Sequence, residues 1–135
     1  MTQRMNVMAL IGLVLAAALA ACGGNGGDAG DTGGNARAGE TLFAEVIIGS
    51  QPGCATCHSL EPDQVLVGPS MAGIGSRAGT QVAGMSAEDY LRESILDPDA
   101  HVVEGFQPGI MVQVWEETLT AEQVDDLVAY LLTLE

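Results

Sequence analysis

A chain of 135 residues with no lysine, four arginines and a formal net charge of −14 is repelled by nucleic-acid phosphates and by anionic lipid headgroups. Its hydrophobic fraction of 47% overstates the core, because much of it lies in the first 21 residues while the remainder is rich in glycine and acids. The length sets one small domain as the expectation, and the thin core implies help from a large apolar body around which short helices pack.

Residues 1–21 read as an export signal: Arg4 gives a positive start, residues 7–20 form an apolar run, and small residues close it. The run is short for a membrane span, which needs about 20 residues. It ends in Leu19-Ala20-Ala21-Cys22, which resembles the bacterial lipoprotein signal. That resemblance implies that Cys22 becomes the lipidated first residue of the mature chain. The alternative is ordinary cleavage after Ala18-Leu19-Ala20. Residues 22–38 then form a Gly-rich flexible tether, which from Gly23 to Asn35 holds only Gly, Asn, Asp, Ala and Thr and has no large apolar side chain to bury. Its length corresponds to an end-to-end distance of roughly 20 to 25 Å.

The folded part is expected over residues 39–135 as an all-α unit. A first helix is predicted over residues 35–48, with Gly39, Leu42, Phe43, Val46 and Ile47 on one face. Gly49-Ser50-Gln51-Pro52-Gly53 breaks it immediately before Cys54-Ala55-Thr56-Cys57-His58. There, two thiols three positions apart share about one helical turn, so each can add to a vinyl group of the same porphyrin. The adjacent imidazole is then placed under the iron, and the motif reads as a covalent attachment site for one haem. A thioredoxin-like redox pair would need a βαβ pattern, and no strand-rich stretch is evident. Zinc would need four ligands, and His101 and Cys22 are the only further candidates. A Cys54–Cys57 disulfide would leave His58 unexplained.

After His58 the Gly- and Pro-punctuated residues 67–75 need a surface to pack on, and a porphyrin face supplies one. A second helix is signalled by Ser86 as N-cap, Asp89 at the fourth capping-box position, and Tyr90, Leu91, Ser94 and Ile95 along one side. Asp97-Pro98 ends it. The last helix is capped by Thr120 and answered by Gln123. Leu119 and Val124 staple it, and Val124, Leu127, Val128 and Leu131 form its buried stripe.

Iron held by His58 needs a second axial ligand, for which Met71, Met85, Met111 and His101 are candidates. Met71 lies 13 positions after His58, in a loop expected to cover the proximal side, and Met85 is accounted for by a staple contact with Tyr90. Met111 lies in the turn-rich Gly105-Phe106-Gln107-Pro108-Gly109-Ile110-Met111, which can lay a thioether across the distal face, and His/Met ligation is an established haem pattern. His101 reads as a surface residue, Trp115 as haem-edge packing, and Arg77 as a partner for a haem propionate.

Taken together, residues 39–135 resemble a class I cytochrome c, and most of all the single-haem domain appended to subunit II of some bacterial terminal oxidases. The elements that carry this are Gly39 and Phe43, the Cys54–His58 motif, Val67-Gly68-Pro69, the helix leading to Asp97-Pro98, Gly105-Phe106 with Met111, and Leu119-Thr120 with Leu127-Val128-Ala129-Tyr130-Leu131. The resemblance implies a small fold of short helices around one haem. It implies Cys54 and Cys57 as attachment points, His58 and Met111 as iron ligands, Pro69 packed on His58, and Gly39 and Phe43 meeting Tyr130 where the terminal helices cross. Val112 stands where the family usually has proline, and the copper signatures of an oxidase subunit are not evident. The expected function is one-electron transfer by an exported, lipid-anchored carrier, with no chemical transformation of its own. A permanent subunit of a membrane oxidoreductase, and a haem sensor or peroxidase-like protein, are the alternatives. The acidic surface either serves solubility or steers the molecule to basic faces of redox partners.

Overall fold

A computed structural model describes residues 33–135. The signal segment, Cys22 and most of the tether lie outside the described residues. Helix α1 (Ala36–Phe43) begins where the Asn35 side chain accepts hydrogen bonds from the backbone N–H groups of Arg37 and Ala38, at 3.1 and 3.3 Å. The Asn35 N–H in turn donates to Asp126 Oδ1 at 2.6 Å, which ties the start of the fold to a helix 91 positions away.

Helix α1 stops five residues short of the predicted end at 48. Gly39, Leu42 and Phe43 are buried as expected, but Val46 and Ile47 are exposed. The β-branched run Val46-Ile47-Ile48 favours extended backbone, and Ile47–Ile48 (β1) pairs antiparallel with Gln51–Pro52 (β2). This two-residue hairpin turns at Gly49, whose φ is +62°, and only Ile48 of the run enters the core. The hairpin delivers the chain to α2 (Cys54–Cys57).

Short α3 (Ile74–Arg77) continues into a 3₁₀ turn (Ala78–Thr80). Helix α4 (Ala87–Leu96) starts at Ser86, whose Oγ accepts from the Asp89 N–H at 3.1 Å. The reciprocal half of that capping box is absent: Asp89 Oδ2 accepts the Ser86 hydroxyl at 2.6 Å instead of the Ser86 backbone N–H. One-turn α5 (Trp115–Thr118) was not foreseen. Helix α6 (Ala121–Leu132) carries the complete capping box, with Gln123 N–H to Thr120 Oγ1 at 3.2 Å and Thr120 N–H to Gln123 Oε1 at 2.9 Å.

The core sits where α1 and α4 pack on α6. Val124, Leu127, Val128 and Leu131 are all buried, together with Leu119, Trp115 and Tyr130. At the α1–α6 crossing a Cβ on Gly39 would fall inside the Asp126 carbonyl and 2.8 Å from Tyr130 Cβ, so glycine sets the approach of the two backbones. Phe43 and Tyr130 meet there with ring centroids 5.6 Å apart and planes inclined at 57°, a favourable tilted geometry. Arg92 of α4 bridges to Asp125 of α6 at 2.7 Å and to Glu88 at 3.3 Å, and the Asp125 hydrogen bond holds its guanidinium still more firmly protonated. The fold is all-α apart from the small hairpin. No helix among the described residues is long and apolar enough to cross a membrane.

Candidate functional site

The hairpin ends at Gly53, whose carbonyl accepts from both the N–H and the hydroxyl of Thr56, at 3.1 and 2.5 Å. This closes the single turn of α2, and the His58 N–H donates to the Cys54 carbonyl at 2.9 Å, so Cys54, Cys57 and His58 are held as one local unit. Both thiols are free and half-buried. Burial, reinforced by the neighbouring Cys57, pushes the Cys54 thiol up to about 11, so it is protonated at neutral pH.

The imidazole of His58 is oriented from behind. Its Nδ1–H donates to the Pro69 carbonyl at 2.9 Å. A carbonyl can only accept, so this tautomer leaves the lone pair on Nε2. Burial lowers the His58 pKa, against the opposing pull of the Pro69 carbonyl, and the ring is therefore neutral near pH 7. Gly68 closes the back wall: its N–H donates to the Cys57 carbonyl at 2.9 Å, and a Cβ there would come within 2.5 Å of His58 Cε1. Only glycine lets this strand of loop lie against the ring.

These groups open into a cavity of about 230 Å³ with mostly apolar walls. Cys54, Cys57, His58, Pro69 and Met111 all line it. Leu91, Ser94 and Ile95 contribute from α4, Trp115 from α5, and Leu127 and Leu131 from α6. Val67, Val102, Val103 and Ile110 line the same cavity yet remain exposed, so it opens to solvent along their side. Met71 also lines it, whereas Met85 lies in a separate groove beside Arg92 and Leu96. His101 reaches the cavity margin, but its Nε2 is 3.3 Å from Glu93 Oε1 and its ring stacks on Tyr90.

Arg77 lines the same cavity and also braces the loop behind His58. Its Nη2 donates to the Ser70 carbonyl at 2.6 Å and its Nη1 to the Ala72 carbonyl, so two of its five N–H donors hold that loop. Ser94 was not singled out for a site role. Its Oγ is buried and has no hydrogen-bond partner among the described residues, a costly state for a hydroxyl unless something in the cavity meets it. A serine within the otherwise apolar Tyr90, Leu91 and Ile95 face of α4 was the signal available.

The residues fit the haem that the motif implies. Two thiols and a neutral imidazole with a free Nε2 converge on one apolar space, Gly68 gives the imidazole room, and the orphan Ser94 hydroxyl faces the same space. No group of three or more His, Cys, Asp or Glu side chains that could hold a metal ion by itself is found among the described residues. In comparison with known families, the model described as Cytochrome c matches residues 36–135. No curated protein gives a match.

Proposed function

Because the chain belongs to the cytochrome c family and carries haem c covalently on Cys54 and Cys57, we propose that it is an exported, membrane-tethered carrier of single electrons between respiratory or photosynthetic complexes. The observation that carries this reading is the convergence of Cys54, Cys57, His58 and Met111 on one apolar cavity with a solvent-facing side. The bound haem supplies the one-electron couple, and the chain tunes it through axial ligands, burial and hydrogen bonding. Pro69 fixes the His58 tautomer, which keeps Nε2 available to the iron. Leu91, Ile95, Leu127 and Leu131 exclude water from the buried side, and Met111, which lines the same cavity, would supply the second ligand to the iron. Electrons would pass at the open edge beside Val67, Val102 and Ile110, and the net charge of −14 favours basic partner faces.

Covalent attachment has a direct check. Extraction with acidified acetone is expected to leave the colour in the protein pellet, and haem recovered in the solvent would contradict the thioether linkage. The anchor is tested at Cys22, since a hydroxyl cannot replace the acylated thiol. Cys22→Ser is expected to block lipidation and processing by the lipoprotein route, leaving a chain without acyl groups by mass spectrometry. A mature wild-type chain found by mass spectrometry to start elsewhere and to lack acyl groups would remove the tether from the proposal.

A second reading, a permanent subunit of a membrane oxidoreductase, rests on the sequence resemblance of residues 39–135 to the haem domain of oxidase subunit II. Purification from native membranes separates the two. A carrier migrates alone in mild detergent, whereas a subunit co-migrates with its complex.

A further inference from the structure

Residues 109–113, which present Met111 to the cavity, belong to no helix or strand. Among the described residues, every hydrogen bond that holds them runs through two side chains. Asp99 Oδ1 accepts from the Gly109 N–H at 2.8 Å and from Gln113 Nε2 at 3.2 Å, and the same Gln113 amide donates to the Met111 carbonyl at 3.0 Å. One carboxylate oxygen therefore gathers both ends of a five-residue segment with the methionine at its centre.

Asp99 is itself well placed for this. It follows buried Pro98, at the end of α4, so the clasp is mounted on a packed helix and a residue of fixed φ. The opposite side of the clasp is a glycine at φ +75° followed by Ile110, Met111 and Val112, none of which restrains the backbone. Where a proline at 112 would fix φ by its ring, this chain has valine and a charge-assisted pair of hydrogen bonds.

We propose that Asp99 is a positioning residue for the distal iron ligand: through the Gly109 amide and Gln113 it holds Met111 toward the haem and keeps that coordination site closed. The proposal rests on the reading of Met111 as the ligand.

The holoprotein carries the test, with imidazole as the competing ligand for ferric iron. Asp99→Ala is expected to raise imidazole affinity about tenfold, the weight of one charge-assisted hydrogen bond. It should also weaken the near-infrared sulfur-to-iron band and speed amide exchange at Gly109 by a similar factor. Asp99→Asn keeps an acceptor oxygen and is expected to stay within about threefold of wild type, while Gln113→Ala, which spares the Gly109 bond, falls between. A residue that served stability alone would lower the melting temperature and leave imidazole affinity and the band unmoved, and that outcome in Asp99→Ala overturns the proposal. Failure of the underlying reading is distinguishable, because the band would then persist in Met111→Ala. A band lost in Met111→Ala but indifferent to Asp99 removes the clasp and keeps the ligand.

Discussion

Gly39→Ala is expected to destabilise the folded domain by about 2 kcal/mol net, with a fall in melting temperature on the order of 10 °C. The added methyl cannot be absorbed by a rotamer change, since the atom it meets is the Asp126 backbone carbonyl, and Tyr130 Cβ lies 2.8 Å away on the other side. Helices α1 and α6 must separate, which loosens the Phe43–Tyr130 contact and the Asn35–Asp126 hydrogen bond. Overpacking of this kind costs about 1 to 3 kcal/mol and more against backbone. The better helix propensity of alanine returns up to about 1 kcal/mol. Gly79→Ala is the matched control: the new Cβ would lie 3.5 Å from its nearest neighbour, in ordinary contact, and stability is expected to hold or rise slightly. Thermal unfolding of both holoproteins decides it, and equal melting temperatures would show that the crossing tolerates a side chain.

That crossing was legible before the structure, because a glycine three positions before Leu42 and four before Phe43 sits on the face α1 buries. The attachment motif and the Thr120–Gln123 cap were legible for a similar reason: each is a local pattern whose chemistry is complete within a few residues. The end of α1 was not. Val46 and Ile47 satisfy helical spacing as well as strand preference, and what decides between them is pairing with Gln51–Pro52 across Gly49, a contact that periodicity does not encode. Arg77 shows the same gap for charge. Its sequence announces a cation but not that the Ser70 and Ala72 carbonyls claim two of its donors. Asp99 and Gln113 carry no pattern at all, since 14 positions separate them and only the folded loop brings them to one oxygen. Burial of the Ser94 hydroxyl without a partner is likewise a tertiary fact. The sequence marks the attachment side of the site sharply and its distal side faintly, because the distal side is assembled from loop residues whose positions depend on long-range hydrogen bonds.

Met111→Ala is expected to abolish the near-infrared sulfur-to-iron charge-transfer band and to lower the reduction potential, because a thioether favours ferrous iron and its loss removes that preference. The competing sulfur ligands differ in placement. Met85 lies in a groove apart from the cavity, so Met85→Ala should leave the band intact. Met71 lines the cavity, but its N–H is bonded to the Ser59 carbonyl at 2.8 Å, on the loop that also carries Pro69 and so belongs to the side that orients His58. His101, the remaining imidazole, is engaged by Glu93 and Tyr90, and His101→Ala should also retain the band. Val112→Pro runs in the opposite direction. The Val112 N–H has no hydrogen-bond partner among the described residues, so proline removes no bond there, and by restricting the unfolded chain it should stabilise by about 0.4 to 1 kcal/mol. Stiffening the segment beside the ligand should also lower imidazole affinity for the ferric protein. Near-infrared absorption and redox titration of the four variants check the set together. A band that survives Met111→Ala, or one that disappears in Met85→Ala, would move the ligand elsewhere and require a different path for the loop between α4 and α5.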